Sequence, residues 1–211
     1  MVTNRSYGQY CGVARALDLV GERWALLVVR ELVIGPKRFT DLRNGLPGIA
    51  TNVLTHRLKQ LERDGIVERR TLPPPAASTV YELTGYGREL VPILLALGRW
   101  GARSLGPRGD EQAIRSEWLA VAMQAFFRPE AAQGTSAVLR LRFADGMFGL
   151  RIDDGELEVT AGPPTHADLT LTTDPDSLLA FLRGASVAPA LLAPEGDRAL
   201  LARLPEIFAF R

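Results

Sequence analysis

Apolar and polar positions alternate with a helical period through most of the first half of the chain, and with a period of two in the middle of the second. Cys11 to Val20 sets Val13, Ala14, Leu17 and Val20 at helical spacing, and Gly21 closes the pattern. Arg23 to Leu32 is more apolar and reads as a central core helix, ended by Gly35 and Pro36. Phe39 to Arg43 is short, with Phe39 and Leu42 on one face, and a turn cluster from Gly45 to Gly48 follows. Ala50 to Asp64 has the clearest helical spacing: Ala50, Val53, Leu54, Leu58 and Leu61, with Gly65 as the expected C-cap. Ile66 to Leu72 and Val80 to Leu83 read as two strands joined by a hairpin tip from Pro73 to Ser78. Tyr86 to Arg103 reads as a long helix interrupted by Pro92 and Gly98.

Helices, a short helix, a turn, a longer helix and then a hairpin is the order of a winged helix-turn-helix. Ideal helical angles on Ala50 to Arg63 gather the apolar residues into an arc centred near Leu61. The opposite arc holds Thr51, Asn52, Thr55, His56 and Lys59. Donors and acceptors with only one full positive charge suit a helix that reads base edges in the major groove. Around it, Lys37 and Arg38 precede the short helix, Arg43 ends it, and Arg69 and Arg70 lie in the hairpin. These residues are candidates for backbone phosphate, which supplies affinity and register but no sequence reading, and Arg57, at the margin of the apolar arc, would either reach phosphate too or cap the core.

The second half predicts an α+β domain with a small antiparallel sheet. Ser116 to Phe127 is an apolar helix. Ala137–Phe143, Phe148–Ile152, Glu156–Ala161 and Ala167–Thr172 are four strands, with hairpin signals at Asp145-Gly146 and Asp154-Gly155. Asp174 and Pro175 open a helix through Leu182 as N-cap and first-turn residue. A last helix follows Gly196 and Asp197.

Charge separates the halves. Residues 1–105 hold 15 Lys and Arg against 9 Asp and Glu, whereas residues 106–211 hold 10 against 15. Opposite signs suggest two domains with different partners, and Gly/Pro punctuation from Leu105 to Gly109 marks the boundary. The domains are therefore drawn at 1–105 and 110–211. At 46% hydrophobic and 23% charged the composition is globular. The longest apolar run, Leu90 to Gly98, is far short of the roughly 20 residues that span a bilayer, so no membrane role is expected. No apolar stretch follows Arg5, and the single Cys11 excludes an intramolecular disulfide framework, so a reducing cytoplasmic location is expected. One Cys with His56 and His166 far apart offers no metal-ligand spacing. No Gly-rich phosphate loop or nucleophile motif converges, so neither a cofactor nor an enzymatic activity is expected.

Tyr10 to Leu105 resembles the HxlR family of bacterial winged-helix transcriptional regulators. The resemblance is carried by Arg23-Trp24, Arg30-Glu31-Leu32, the run from Gly35 to Phe39, Leu46 to Ile49, Leu54-Thr55, Arg57-Leu58, Asp64-Gly65, Tyr81 to Thr84 and Trp100-Gly101. It implies a homodimer on a two-fold related operator of double-stranded DNA. Leu90, Ile93, Leu94, Leu97 and Trp100 offer more apolar surface than one small domain buries, as such an interface would. Cys11 matches a position often occupied by Cys in that family, where some members sense oxidants or electrophiles. The chemistry needs an accessible thiolate of lowered pKa, which Arg15, one turn away, and the helix N-terminus would both favour. Gly12 stands where the family more often has Pro, and the Pro-rich wing tip replaces a loop that more often carries charge.

From Ala137 to Phe210 the text is similar to the sterol-carrier-protein-like lipid-binding fold, through Ala167 to Asp174, Leu182 to Gly184, and Gly196 to Phe208. That resemblance implies an apolar ligand near Phe181, Leu182 and Phe208. The expected protein is thus a dimeric DNA-binding regulator modulated by a small apolar effector. The alternatives are a lipid-binding protein with a vestigial winged helix, a protein-interaction adaptor, and a redox-sensing regulator acting through Cys11.

Overall fold

The computed structural model describes residues 6–74, 77–106, 108–109, 112 and 114–210. Pro75 and Ala76 of the hairpin tip, and Pro107 of the expected boundary, lie outside them. The chain forms two units, residues 1–94 and 95–211.

The first unit contains α1 (Gly12–Val20), α2 (Ala25–Leu32), α3 (Phe39–Gly45), α4 (Thr51–Arg63), the antiparallel strands β1 (Val67–Thr71) and β2 (Thr79–Leu83), and α5 (Gly85–Arg88). Val28, Leu32, Leu42, Leu54, Leu58 and Leu61 form its core, each at most 1% exposed. They are the apolar positions of α2, α3 and α4, so amphipathic periodicity alone assembles this layer of helices. α4 stops where the sequence requires it. Gly65 adopts φ +70°, its amide donates to Glu62 O (3.1 Å), and Ile66 N donates to Leu61 O (2.9 Å). This paired closure is a Schellman motif, which a residue with a Cβ would strain.

The helix expected from Tyr86 to Arg103 is broken into α5 and α6 (Leu90–Ala102) at Glu89. Pro92 has no N–H to give Arg88 O, and its ring would clash with that carbonyl, so the helix restarts with Pro92 in its first turn. Gly98 does not interrupt α6. The division between the units falls inside α6, at Leu94, whereas the sequence reading draws its boundary at Leu105–Gly109. Leu90, Val91 and Leu94 pack on the first core. Arg99 Nη1 donates to Ala125 O (2.9 Å) within the second unit.

The second unit holds α7 (Ser116–Ala125), a short 3-10 turn (Pro129–Ala131), β3 (Ser136–Phe143), β4 (Gly146–Asp153), β5 (Glu156–Ala161), β6 (Leu169–Thr172), α8 (Pro175–Leu182), α9 (Pro189–Leu192), β7 (Pro194–Gly196) and α10 (Arg198–Ile207). The sheet order is β5-β4-β3-β6-β7. It is mixed, which corrects the antiparallel expectation: β6 runs parallel to β3, with Leu139 beside Leu169. β4 already has β3 and β5 on its two edges, and the next strand takes the other edge of β3 rather than the free edge of β5. Residues 162–168 make that crossing, and Arg140 Nη2 donates to Pro164 O (3.1 Å) along it. β7 and α9 were not foreseen, being too short to show a period.

Local signals behave as read. Asp154 (φ 46°) and Gly155 (φ 88°) both take positive φ in the β4–β5 turn, the geometry of a type I′ hairpin. Asp174 accepts from Ser177 N (2.9 Å) at the head of α8, and Asp197 accepts from Ala199 N (2.8 Å) and Leu200 N (3.0 Å) at the head of α10. One face of the sheet presents buried Leu139, Leu141, Leu150, Leu169 and Leu171, and α7 and α10 pack on the sheet and both on α8.

Candidate nucleic-acid interface

α3 and α4, joined by residues 46–50, form the helix-turn-helix pair. Burial of Leu54, Leu58 and Leu61 fixes the rotation of α4 and turns Thr51, Asn52, His56 and Lys59 outward. Thr55 is half-buried, and its hydroxyl donates to Thr51 O (2.9 Å). Asn52 Oδ1 accepts from Val53 N (3.0 Å), which orients its amide. His56, Lys59, Glu62 and Arg63 line an open concavity on the exposed side of α4. Arg63 was missed in the sequence reading. The signal for it was available, since it lies one turn beyond Lys59 and two beyond His56. α4 also begins at Ala50 without a side-chain cap and without an acidic residue in its first turn, so the positive end of its dipole stands uncompensated.

The basic candidates divide into two groups. Arg38, Arg43 and Arg69 are exposed at the head of α3, the end of α3 and on β1. Arg57 is not placed to meet phosphate, which corrects that expectation. It is 8% exposed, Nη1 donates to Gln60 Oε1 (2.6 Å), and Nη2 lies 3.5 Å from Glu22 Oε2. Its position at the edge of the apolar arc turned the long side chain inward. Lys37 is likewise committed, with Nζ 2.7 Å from the buried carboxylate of Glu31. Arg70 is half-exposed but holds Glu82 across the hairpin through both Nε and Nη2 (3.0 Å to Oε2), a bidentate pairing that keeps its pKa raised.

Cys11 is exposed at the N-cap position of α1. The amides of Ala14 and Val13 hold its thiol pKa below the usual value, although no capping hydrogen bond to the sulfur closes. The lowering comes from the amides at the helix N-terminus, one of the two expected sources, and not from Arg15. In the second unit Leu182 and Phe208 are fully buried and Phe181 half-buried. Phe208 packs its ring 5.7 Å from that of Phe127. Among the described residues no group of three or more His, Cys, Asp or Glu is placed to hold a metal ion, and no helix is long and apolar enough to cross a membrane.

Residues 19–108 match the model of the HxlR-like helix-turn-helix family. The uncharacterized HTH-type transcriptional regulator sll1512 of Synechocystis is 40% identical over 95 residues, which are 45% of this chain and 70% of that protein. The HTH-type transcriptional regulator YodB of Bacillus subtilis is 37% identical over 95 residues, 45% of this chain and 84% of that protein. Among solved structures, the redox regulator HypR in its oxidized form is 35% identical, with 47% of this chain and 99% of that chain covered and a TM-score of 0.42. With a helix-turn-helix pair, a wing and these relatives in the same stretch of sequence, the chain belongs to the HxlR-like helix-turn-helix family.

Proposed function

We infer that the protein is a DNA-binding transcriptional regulator that places α4 in the major groove. The observation that carries this reading is the split of α4 into a buried apolar side and an exposed side of Thr51, Asn52, His56, Lys59 and Arg63. Asn52 has the amide chemistry to pair with an adenine edge, and Lys59 and Arg63 that to reach guanine or phosphate. Thr55 adds a methyl group at the edge of this surface. Arg38, Arg43 and Arg69 supply phosphate contacts on either side, with Arg70 contributing only at the cost of its bond to Glu82. The relatives named as transcriptional regulators favour the same reading.

The regulator acts as a homodimer on a two-fold related site. Two exposed apolar stripes support this: Val13 and Leu17 on α1, and Ile93, Leu97 and Trp100 on α6, the last 70% exposed. Such surface on a monomer marks an interface. The second unit is assigned the effector-binding role, in the manner of the sterol-carrier-like fold. Leu182 and Phe208 are fully buried, which leaves half-buried Phe181 as the member of this set with surface to offer an apolar effector.

The test is binding to DNA from upstream of its own gene against scrambled DNA over a salt series. Preference for its own DNA, with log affinity falling by about 0.9 per phosphate contact per log unit of salt, is expected. Equal, salt-insensitive binding would refute the reading. A second reading, oxidation sensing by Cys11, is favoured by the exposed thiol with its lowered pKa. Loss of operator binding on thiol oxidation, absent in Cys11→Ser, tests it.

A further inference from the structure

Glu31 is a carboxylate buried under the helix-turn-helix, with its side chain fully enclosed. It accepts from Arg30 Nε (3.2 Å) and Nη2 (2.8 Å) on its own helix, and from Lys37 Nζ (2.7 Å) on the segment leading into α3. Lys37 is also bound to the wing. Its amide donates to Tyr81 O (2.9 Å) and Tyr81 N donates to Lys37 O (2.8 Å), so Lys37 stands as a third strand position beside β2. Oε2 of Glu31 further fills the space beside Gly45, the last residue of α3, where a Cβ would lie 2.1 Å away. One carboxylate thus meets α2, the entry and end of α3, and the wing through Lys37.

We propose that Glu31 is a positioning residue whose bond to Lys37 sets the wing and the helix-turn-helix pair as one DNA-reading surface. This rests on the DNA-binding reading above. A well-packed apolar side chain at such a site often stabilises a fold as well as a buried ion pair does. What the carboxylate adds is direction: donors from separate elements must converge on two oxygens, which leaves Lys37, and the strand bonded to it, one place. Without it the two backbone bonds still join Lys37 to Tyr81, and Val67 and Leu83 still pack the wing on the core, but the carboxylate no longer sets the place of Lys37.

The test uses the full chain with Glu31→Gln, which keeps shape but removes charge, and Lys37→Met, which breaks the pair from its other side. Amide hydrogen exchange is read at Lys37 and Tyr81, with Val28 and Leu54 as core references, and DNA affinity is read alongside. The expected result is exchange at least tenfold faster at Lys37 and Tyr81, unchanged exchange at the references, and DNA affinity at least tenfold weaker. The double variant is expected to lose less than the sum of the single losses, because neither partner is then left unpaired. Unchanged exchange at Lys37 and Tyr81 would overturn the proposal, as would equal acceleration at all four amides, the mark of general destabilisation. DNA affinity unchanged despite a loosened wing would also overturn it. If the unaltered protein shows no preference for its own DNA, the function reading fails on its own, and the exchange pattern still decides whether Glu31 holds the wing.

Discussion

Replacing Gly45 with Ala sets two known effects against each other. Ala is the better helix former, by about 0.8–1 kcal/mol over Gly within a helix. Its methyl carbon, however, would stand 2.1 Å from Glu31 Oε2 and 2.7 Å from Cδ. A flexible glutamate would swing aside at little cost. This one is fully enclosed and held at 2.7 and 2.8 Å by Lys37 and Arg30, so moving it breaks ion pairs. Overpacking costs about 1–3 kcal/mol, and disrupting a buried pair reaches about 3–5 kcal/mol. Lys37 and Arg30 keep some access to water, 12% and 21% side-chain exposure, which softens the second effect. The net destabilisation is therefore about 2–4 kcal/mol. With a urea slope of roughly 1–3 kcal/mol per molar, the midpoint followed by circular dichroism falls by about 0.7–4 M. Gly98→Ala is the control. It lies in α6 with nothing near its missing Cβ, and stabilises by about 0.5–1 kcal/mol. A Gly45→Ala midpoint equal to or above that of the unaltered protein would refute the reasoning.

Three further outcomes are expected. Asn52→Ala abolishes preference for the protein's own upstream DNA with little change in salt slope, whereas Arg43→Ala makes the slope shallower by about 0.9 and leaves preference intact; paired binding isotherms over salt distinguish them, and identical behaviour of the two variants would contradict their assigned roles. Asp168 has its pKa held below the usual carboxylate range, chiefly by the amide of Val138 and then by His166. A depressed folded pKa gives stability that is present above the unfolded pKa and lost as pH falls through the folded one, so Asp168→Asn should flatten the acid limb of a stability–pH curve, and an unchanged limb would argue against it. Alkylation of Cys11 should reach half its limiting rate at a pH below the ordinary thiol pKa, because the amides at the start of α1 favour the thiolate; a midpoint at or above that value would remove the basis for a sensing role.

Much of this architecture was legible from short-range pattern. The helices of the first unit appear where apolar residues recur at three and four positions, and the exposed side of α4 carries the polar residues that helical angles predicted. The candidate interface was only partly legible. Arg38, Arg43, Arg69 and Arg70 look alike in sequence, Arg57 differs only in its place at the margin of the apolar arc, and folding separates exposed guanidinium groups from those bonded to Gln60 or Glu82. Arg63 is not among the residues that the polar arc singles out, although its spacing from Lys59 was visible. α6 shows the same limit: its apolar residues are plain in sequence, but which pack on the first core and which stand exposed is not.

By itself, then, the sequence determined features that depend on residues a few positions apart: the closure of α4 at Gly65, the caps at Asp174 and Asp197, the turn at Asp154-Gly155, and the break forced by Pro92. Each follows from a backbone preference or a hydrogen bond that neighbouring residues complete. The tertiary structure alone decided what depends on distant segments meeting. It set β6 parallel to β3 rather than on the free edge of β5, and it drew Lys37 away from the surface to the buried carboxylate of Glu31. No local period encodes such encounters; burial of a shared core brings the partners together, and their charges then settle where each side chain goes.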